Sequence, residues 1–311
     1  MHRKIIYIIN PIAGTQKKVS IEALIREQTA KQHILFDIVY TNPLGAYEYL
    51  VEKISTENFT DIIGVGGDGT FNHIVSSLKH LPVQFGILPC GSGNSLAFAA
   101  GIPKKINTAL KIIFDGYATY IDGFSINNQF SCVLTGLGFD AQIAHNFSTK
   151  STRGLLTYIH QSMLHFFKAK PYLFKVQIDN FSFLTNAFFI SIANSNQFGN
   201  QFTIAPKASL SDGLLDIVIA QKMSKVRLPF AIMYQVKGYN KLQQFITSNV
   251  AKKNIIYFQT PTLTIHNTQS APLHIDGEPH KTEKIFDIRV IKNCFKLIQP
   301  LTSINAYYPK N

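Results

Sequence analysis

Acidic side chains are scarce in this 311-residue chain: 18 Asp and Glu stand against 30 Lys and Arg, a formal net charge of +12. Charged residues of both signs make up only 15% of the chain, against 46% hydrophobic. That balance is apolar for a soluble protein, yet no run of about 18 apolar residues occurs, so no membrane-spanning helix is expected. Ahead of Asn10-Pro11 the apolar stretch is only Ile5 to Ile9, too short for a signal peptide. The three cysteines, Cys90, Cys132 and Cys294, are odd in number and widely spaced. They exclude a disulfide framework and suit a reducing cytoplasm. The histidines lack metal-ligand spacing, which argues against zinc. No internal repeat, low-complexity linker or nucleic-acid module is visible.

The missing acids are missing from one place. Residues 1–140 carry 11 basic and 11 acidic side chains, and 276–311 carry six and four. Residues 141–275 carry 13 basic side chains and three acidic ones, Asp179, Asp212 and Asp216. An anionic membrane surface would attract such a segment at roughly 1 kcal/mol per basic residue close to the lipid. Nucleic acid is the rival explanation and a solvated basic face the plain one. Membrane ranks ahead because no basic run of the nucleic-acid kind is present.

Three apolar strands empty into small polar loops. Ile5-Ile6-Tyr7-Ile8-Ile9 runs into Asn10-Pro11-Ile12-Ala13-Gly14. Ile62-Ile63-Gly64-Val65 runs into Gly66-Gly67-Asp68-Gly69-Thr70, and Phe85-Gly86-Ile87-Leu88-Pro89 into Cys90-Gly91-Ser92-Gly93-Asn94-Ser95. Such junctions read as buried parallel strands. Glycine lets a backbone approach a ligand closely, and loop amides hold phosphates. Asp68 repels a phosphate unless Mg²⁺ lies between them or the carboxylate orients a hydroxyl. Ligands of parallel sheets bind beyond the carboxyl ends of the strands, so the three loops are expected to meet at one nucleotide.

From residue 1 to about 121, apolar strands alternate with helical stretches such as Ile21–Lys31 and Gly45–Ser55, which predicts a parallel α/β sheet. From about Asp122 the period changes. Asn127-Asn128 sits in an alternating segment that reads as a hairpin. Short strands are predicted at 173–178, 181–193, 215–220, 255–265 and 285–290, an antiparallel β domain of sandwich type. Two amphipathic stretches interrupt it. Gly154–Lys170 carries Phe166 and Phe167 between cationic flanks, which raises an interfacial reading beside the default of core packing. Leu228–Phe245 carries a stripe of Ile232, Val236, Tyr239 and Leu242, for which core packing is the default.

The order Asn10-Pro-x-Ala-Gly14, Gly66-Gly-Asp-Gly-Thr70, Leu88-Pro-x-Gly-Ser92 resembles the diacylglycerol kinase catalytic family, which includes soluble bacterial lipid kinases and sphingosine kinases. The resemblance continues through Gly136-Leu-Gly-Phe-Asp-Ala141, Ile204-Ala-Pro-Lys-Ala208, Ser211-Asp-Gly-Leu-Leu-Asp216 and Asp276-Gly-Glu278. It implies an ATP-binding α/β domain at 1–122, a β-sandwich lipid domain at 123–291, and a final segment, 292–311, returning to the first domain. It further implies ATP at Asn10, Pro11, Gly14, Thr41, Gly66, Gly67, Asp68, Gly69, Thr70, Asn72, Gly91, Ser92 and Asn94. Asp68 is the candidate Mg²⁺–nucleotide carboxylate. The resemblance makes Glu278 the general base with Asp276 in support, and Asp212, with the carbonyls of Ser209 and Leu214, a structural Mg²⁺ site. An ordinary turn is the plain alternative at Asp212-Gly213 and at Asp276-Gly277.

Two positions depart from the family pattern. Family members usually carry Glu where this chain has His73, and bacterial diacylglycerol kinases usually carry Asp where it has Ser95. The expected activity is an ATP- and Mg²⁺-dependent lipid kinase of the cytoplasm, peripherally bound to an anionic membrane, without nucleic acid. The acceptor lipid stays open between diacylglycerol and a sphingoid base, and a homodimer stays open too. The rivals are a soluble-substrate kinase of the NAD-kinase type and a non-catalytic lipid-binding protein.

Overall fold

Five consecutive residues of high β propensity, Ile5 to Ile9, are stable only as a strand covered on both faces, and all five are buried. They form most of β1 (Lys4–Ile9) in a computed structural model that describes residues 3–13, 18–42, 44–142, 169–197, 203–243 and 253–301. The chain divides into two compact units, Met1–Ile121 with Asn293–Asn311, and Asp122–Lys292.

In the first unit β1 lies between β2 (Leu35–Tyr40) and β3 (Asp61–Gly66), and β3 pairs with β4 (Gln84–Pro89), all in parallel. Beside β4 runs the end of the last strand, β15 (Ile285–Gln299), with Lys296 opposite Gln84. The sheet is wound outward from β1 in both directions, so its crevice opens at the carboxyl ends of β1 and β3. Helices α1 (Lys18–Lys31), α2 (Val51–Thr56), α3 (Asp68–Leu78), α4 (Ser95–Ala99) and α5 (Ile106–Asp115) connect the strands. The predicted helix at 45–55 is shorter than expected: a 3₁₀ turn, Glu48–Leu50, leads into α2. Helix α3 buries Phe71, Ile74, Val75 and Leu78, an i, i+3, i+4, i+7 stripe, and Phe71 meets Phe85 and Phe295 in an aromatic cluster.

The second unit is antiparallel. Its long strand β9 (Phe181–Ala193) pairs with β8 (Tyr172–Ile178) along its first half, and with β7 (Leu134–Gly138) and β10 (Leu215–Gln221) further on. One strand that serves two neighbours in succession is how a sandwich turns its corner. Phe124, Phe174, Ile190, Ile217, Phe258 and Phe286 lie in its core. The Asn127-Asn128 hairpin joins β5 (Tyr117–Ile126) to β6 (Gln129–Ser131). The single strand predicted over 255–265 is two, β11 (Ile255–Thr260) and β12 (Thr262–Asn267), because Pro261 has no N–H for a ladder. The strand predicted at 285–290 continues to Gln299 and carries the chain back to the first unit. The Gly154–Lys170 stretch falls, apart from its last two residues, outside the described residues.

At the amino end of β1 and β3, away from the crevice, Arg3 holds buried Asp61 with Nη2–Oδ1 at 2.8 Å and donates to the carbonyls of Ile113 and Phe114 at the end of α5. Removing one partner of a buried pair leaves an uncompensated charge. Arg3→Met should lower unfolding stability by about 2 kcal/mol, measured by denaturant melting, the cost being reduced from the fully buried case by the partial exposure of Arg3.

Candidate active site

The parallel ladders continue one residue past the strands. Asn10 N donates to Val65 O at 3.0 Å, Thr41 N to Ile9 O at 2.9 Å, and Cys90 N to Gly66 O at 2.8 Å. Asn10 Nδ2 donates to Thr70 Oγ1 at 2.8 Å, and Asn10 Oδ1 accepts from Ile12 N at 3.0 Å. The loop after β1 is therefore fastened to the loop after β3. The loops after β3 and β4 touch through backbone: a Cβ on Gly91 would lie 2.5 Å from Gly67 Cα. Glycine is required there for space, since Gly67 has an ordinary negative φ of −102°.

Asp68 opens α3, and both oxygens of its carboxylate are engaged by the next loop. Oδ2 accepts from Ser95 N at 2.9 Å and Oδ1 from Leu96 N at 3.1 Å, with the Ser95 hydroxyl also donating. It thus caps the next helix, α4, across the loop contact. Burial pushes its carboxyl above the usual range, opposed by the hydrogen bonds from Ser95, Leu96 and Asn94. Asn94, left-handed at φ 55°, closes the loop by accepting from Gly91 N and donating to Gly91 O, both at 2.8 Å. Ser92 stays exposed at the tip, as does Pro11, while Asn72 is buried in α3. Gly69 lies in the first turn of α3, whose leading amides no helical carbonyl accepts. Gly14 lies outside the described residues.

In the second unit, Asp276 and Gly277 are the two central residues of a tight hairpin between β13 (Leu273–Ile275) and β14 (Glu278–His280). Both have positive φ, 47° and 84°, as a type I′ turn requires. The Asp276 side chain is turned inward: Oδ1 accepts from Ser131 Oγ at 2.8 Å, Leu134 N at 2.9 Å and Val133 N at 3.3 Å. Glu278, the first residue of β14, is exposed.

Two residues of this hairpin's support received no role from the sequence, although Asp140 lies in the Gly136-Leu-Gly-Phe-Asp-Ala141 motif. His274 Nδ1 accepts from Gly277 N at 3.2 Å, so the ring proton sits on Nε2, 3.0 Å from Asp140 Oδ2. Both partners are buried. A Cβ at Gly136 would lie 2.5 Å from His274 Nε2, which explains that glycine. The available signal was a histidine two residues before Asp276, but alone it reads equally as a core residue. Among the described residues, Ser191 Oγ and Asn194 Oδ1 are buried without a hydrogen-bond partner, while Asn194 Nδ2 donates to Asp122 O and Cys132 O beside the loop that holds Asp276.

At the third Asp-Gly turn, Asp212 Oδ1 accepts from Leu214 N at 3.0 Å and Asp122 Oδ2 from Gly213 N at 2.7 Å. Burial, and then the Asp122 charge, push the Asp212 carboxyl up. Asp216 is pushed up to about 6 by burial, with Asp212 adding to it and hydrogen bonds from Tyr257 and Gln259 opposing it. Carboxylate and carbonyl oxygens gathered at one turn are donors of the kind a hard divalent cation takes, although the Lys292 ammonium also lies beside Gly213. No three carboxylate, imidazole or thiolate side chains form a ligand set among the described residues. A cation here would therefore rely on Asp212 together with carbonyls, Ser209 and Leu214 among them.

Residues 4–126 match the model of the diacylglycerol kinase catalytic domain, and residues 133–298 that of the YegS C-terminal NAD kinase beta sandwich-like domain. The chain belongs to the family that joins a diacylglycerol kinase catalytic domain to a YegS C-terminal domain. A relative in Chromohalobacter salexigens, named a probable lipid kinase YegS-like, is 26% identical over 264 residues, 83% of this chain and 81% of that one. A diacylglycerol kinase of Staphylococcus aureus is 24% identical over 284 residues, 89% of this chain and 87% of its own length. The crystal structure of a diacylglycerol kinase from Bacillus anthracis shares the fold, with a TM-score of 0.71 at 19% identity over 97% of this chain and 98% of that one.

Within the family pattern, the two departures now have a setting. Ser95 is buried and donates to Asp68, where a second carboxylate would repel it. His73 packs against Gly45, whose φ is +66° and whose Cβ would fall 2.5 Å from His73 Nδ1.

Asp68→Ala should cost about 1–3 kcal/mol of stability because two buried amides lose their acceptor. Asp68→Asn keeps one acceptor, and denaturant melts should place it between Ala and wild type. Because burial raises the Asp216 pKa, the folded state holds this proton more tightly than the unfolded chain does. Its stabilising contribution is present in acid and is lost as pH rises through about 6. Asp216→Asn should therefore raise the melting temperature at about pH 7.5 relative to that at about pH 4.5, compared with the same difference in the unmodified protein, read by calorimetry.

Proposed function

We propose that this protein transfers the γ-phosphoryl group of ATP, with Mg²⁺, to the hydroxyl of a membrane lipid, diacylglycerol or a sphingoid base. The observation that carries this reading is the convergence of the Asn10, Gly66–Thr70 and Gly91–Asn94 loops at the carboxyl ends of β1, β3 and β4. The leading amides of α3 would bind phosphate oxygens, and the helix N-terminus favours their charge. Thr41 and Ser92 would line the same nucleotide. Asp68 holds the loops in place and, in this reading, faces the Mg²⁺–nucleotide only through that framework. Bound Mg²⁺ would neutralise charge on the transferring phosphates; at the Asp212 turn a second ion would stiffen the loop.

Glu278 is the proposed general base. It would take the proton of the acceptor hydroxyl as that oxygen bonds to the γ-phosphorus and ADP leaves. Asp276 would fix the hairpin that presents it. Membership of the family supports kinase chemistry; the acid-poor segment 141–275 supports action at an anionic membrane surface. No described helix is long and apolar enough to cross a membrane.

Radiolabelled ATP, Mg²⁺ and a total lipid extract should yield a labelled phospholipid whose mass names the acceptor. Glu278→Ala should lower kcat by roughly 100-fold or more, with nucleotide affinity retained. Equal turnover by that variant removes Glu278 from the chemistry. Activity on NAD without lipid decides for a soluble substrate, and vesicle binding without turnover decides for a lipid-binding protein.

A further inference from the structure

The helix Arg227–Val236 has two faces of opposite fate. Leu228 and Gln235 are its buried residues, and Gln235 Nε2 donates to Ile204 O at 2.9 Å, so this face seats the helix on the second unit. At about 100° per residue the opposite face carries the N-cap Val226, then Phe230, Met233 and Tyr234. These are 74%, 65%, 50% and 52% exposed, and Tyr239 just beyond the helix is 59% exposed. Of the stripe expected from the sequence, Ile232, Val236 and Leu242 are partly covered and Tyr239 is exposed. Four large apolar side chains on one turn-spaced stripe are more than scattered surface residues.

The charge around that face is of one sign. Lys222, Arg227, Lys237 and Lys241 are exposed, with Arg227 at the start of the helix and Lys237 at its end. No Asp or Glu occurs between Asp216 and Asp276. An apolar stripe framed by cations, with its polar anchor on the protein side, matches the interfacial zone of an anionic bilayer: rings and Met enter the acyl boundary while Lys and Arg meet the headgroups.

We propose that the Arg227–Val236 helix is the element that docks this protein on an anionic lipid bilayer, with Phe230 and Met233 inserted. This deepens the membrane part of the proposed function and concerns binding alone, so it is read without turnover.

The chain contains no tryptophan, which makes a direct test available. Phe230→Trp supplies a single reporter, and Leu184→Trp, at a position 68% exposed on β9, supplies the control. On addition of phosphatidylglycerol–phosphatidylcholine vesicles, indole emission of the Phe230→Trp variant should shift to the blue and be quenched by brominated acyl chains, while that of the Leu184→Trp variant should not change. Neutral phosphatidylcholine vesicles should give a much smaller shift, and salt should weaken it. Phe230→Glu with Met233→Glu should lower co-sedimentation with anionic vesicles by roughly tenfold or more, with an unchanged circular dichroism spectrum. Three outcomes overturn the proposal. The Phe230→Trp variant could sediment with anionic vesicles while its indole stays in water, or it could fail to bind them at all. Its emission could also shift with protein concentration alone, which would make a second copy the occupant. A protein that docks as described yet phosphorylates no lipid would leave this inference standing and sink the kinase reading.

Discussion

The first unit depends on one cross-loop contact. Gly67 and Gly91 meet backbone to backbone, and Asp68 reaches across that contact to cap α4. Neither half works alone. Without the glycines the loops stand too far apart for the carboxylate to reach; without the carboxylate two buried amides have no acceptor. The third loop is fastened to the same frame through Asn10 and Thr70. Three strand ends that could each fray are tied into one rim, the arrangement on which the proposed nucleotide site rests.

The second unit meets a different demand, that of holding a tight turn firmly. A two-residue type I′ turn needs positive φ at both central positions, and Asp276 accepts that strain because three donors hold its Oδ1. His274 secures the turn from the other side, with Asp140 fixing its tautomer. The result separates the two carboxylates of Asp276-Gly277-Glu278, one turned inward and one left at the surface. That separation suits a division of roles, with one carboxylate as support and the other as the group that meets substrate.

The fold was largely legible in the sequence. Buried parallel strands announce themselves as unbroken apolar runs, as Ile5–Ile9 does, and sandwich strands as alternating ones. Boundaries were less legible where one residue decides them. Pro261 split a strand predicted whole, and the strand begun at Ile285 ran on to Gln299 because its later residues pack in the first unit. In the candidate site, the loops could be read because glycine spacing is a backbone property. The His274–Asp140 pair could not, since its partners lie 134 positions apart and neither residue type has a spacing rule. The exposed face of Arg227–Val236 was not legible: Phe230 and Met233 give as good a stripe as Ile232 and Val236, and the packing of Leu228 and Gln235 leaves the former outside and the latter partly covered.

The three Asp-Gly pairs of the candidate site show why motif and role diverge. In sequence they look alike; in structure Asp68 begins a helix, Asp212 precedes a glycine at φ +72°, and Asp276 sits at φ +47° in a hairpin. Yet all three carboxylates do the same thing: each accepts backbone N–H groups, from Ser95 and Leu96, from Leu214, and from Val133 and Leu134. Glycine beside aspartate permits the close approach that such a bond requires, and it equally permits approach by a phosphate or a cation. A turn built to bind a ligand and a turn built to bind its own backbone therefore share one sequence signature. They differ in whether charge is left over once the backbone is satisfied. At Asp212 the carboxyls share one field, Asp122 raising that of Asp212 and Asp212 that of Asp216, and that is where the proposed cation would act.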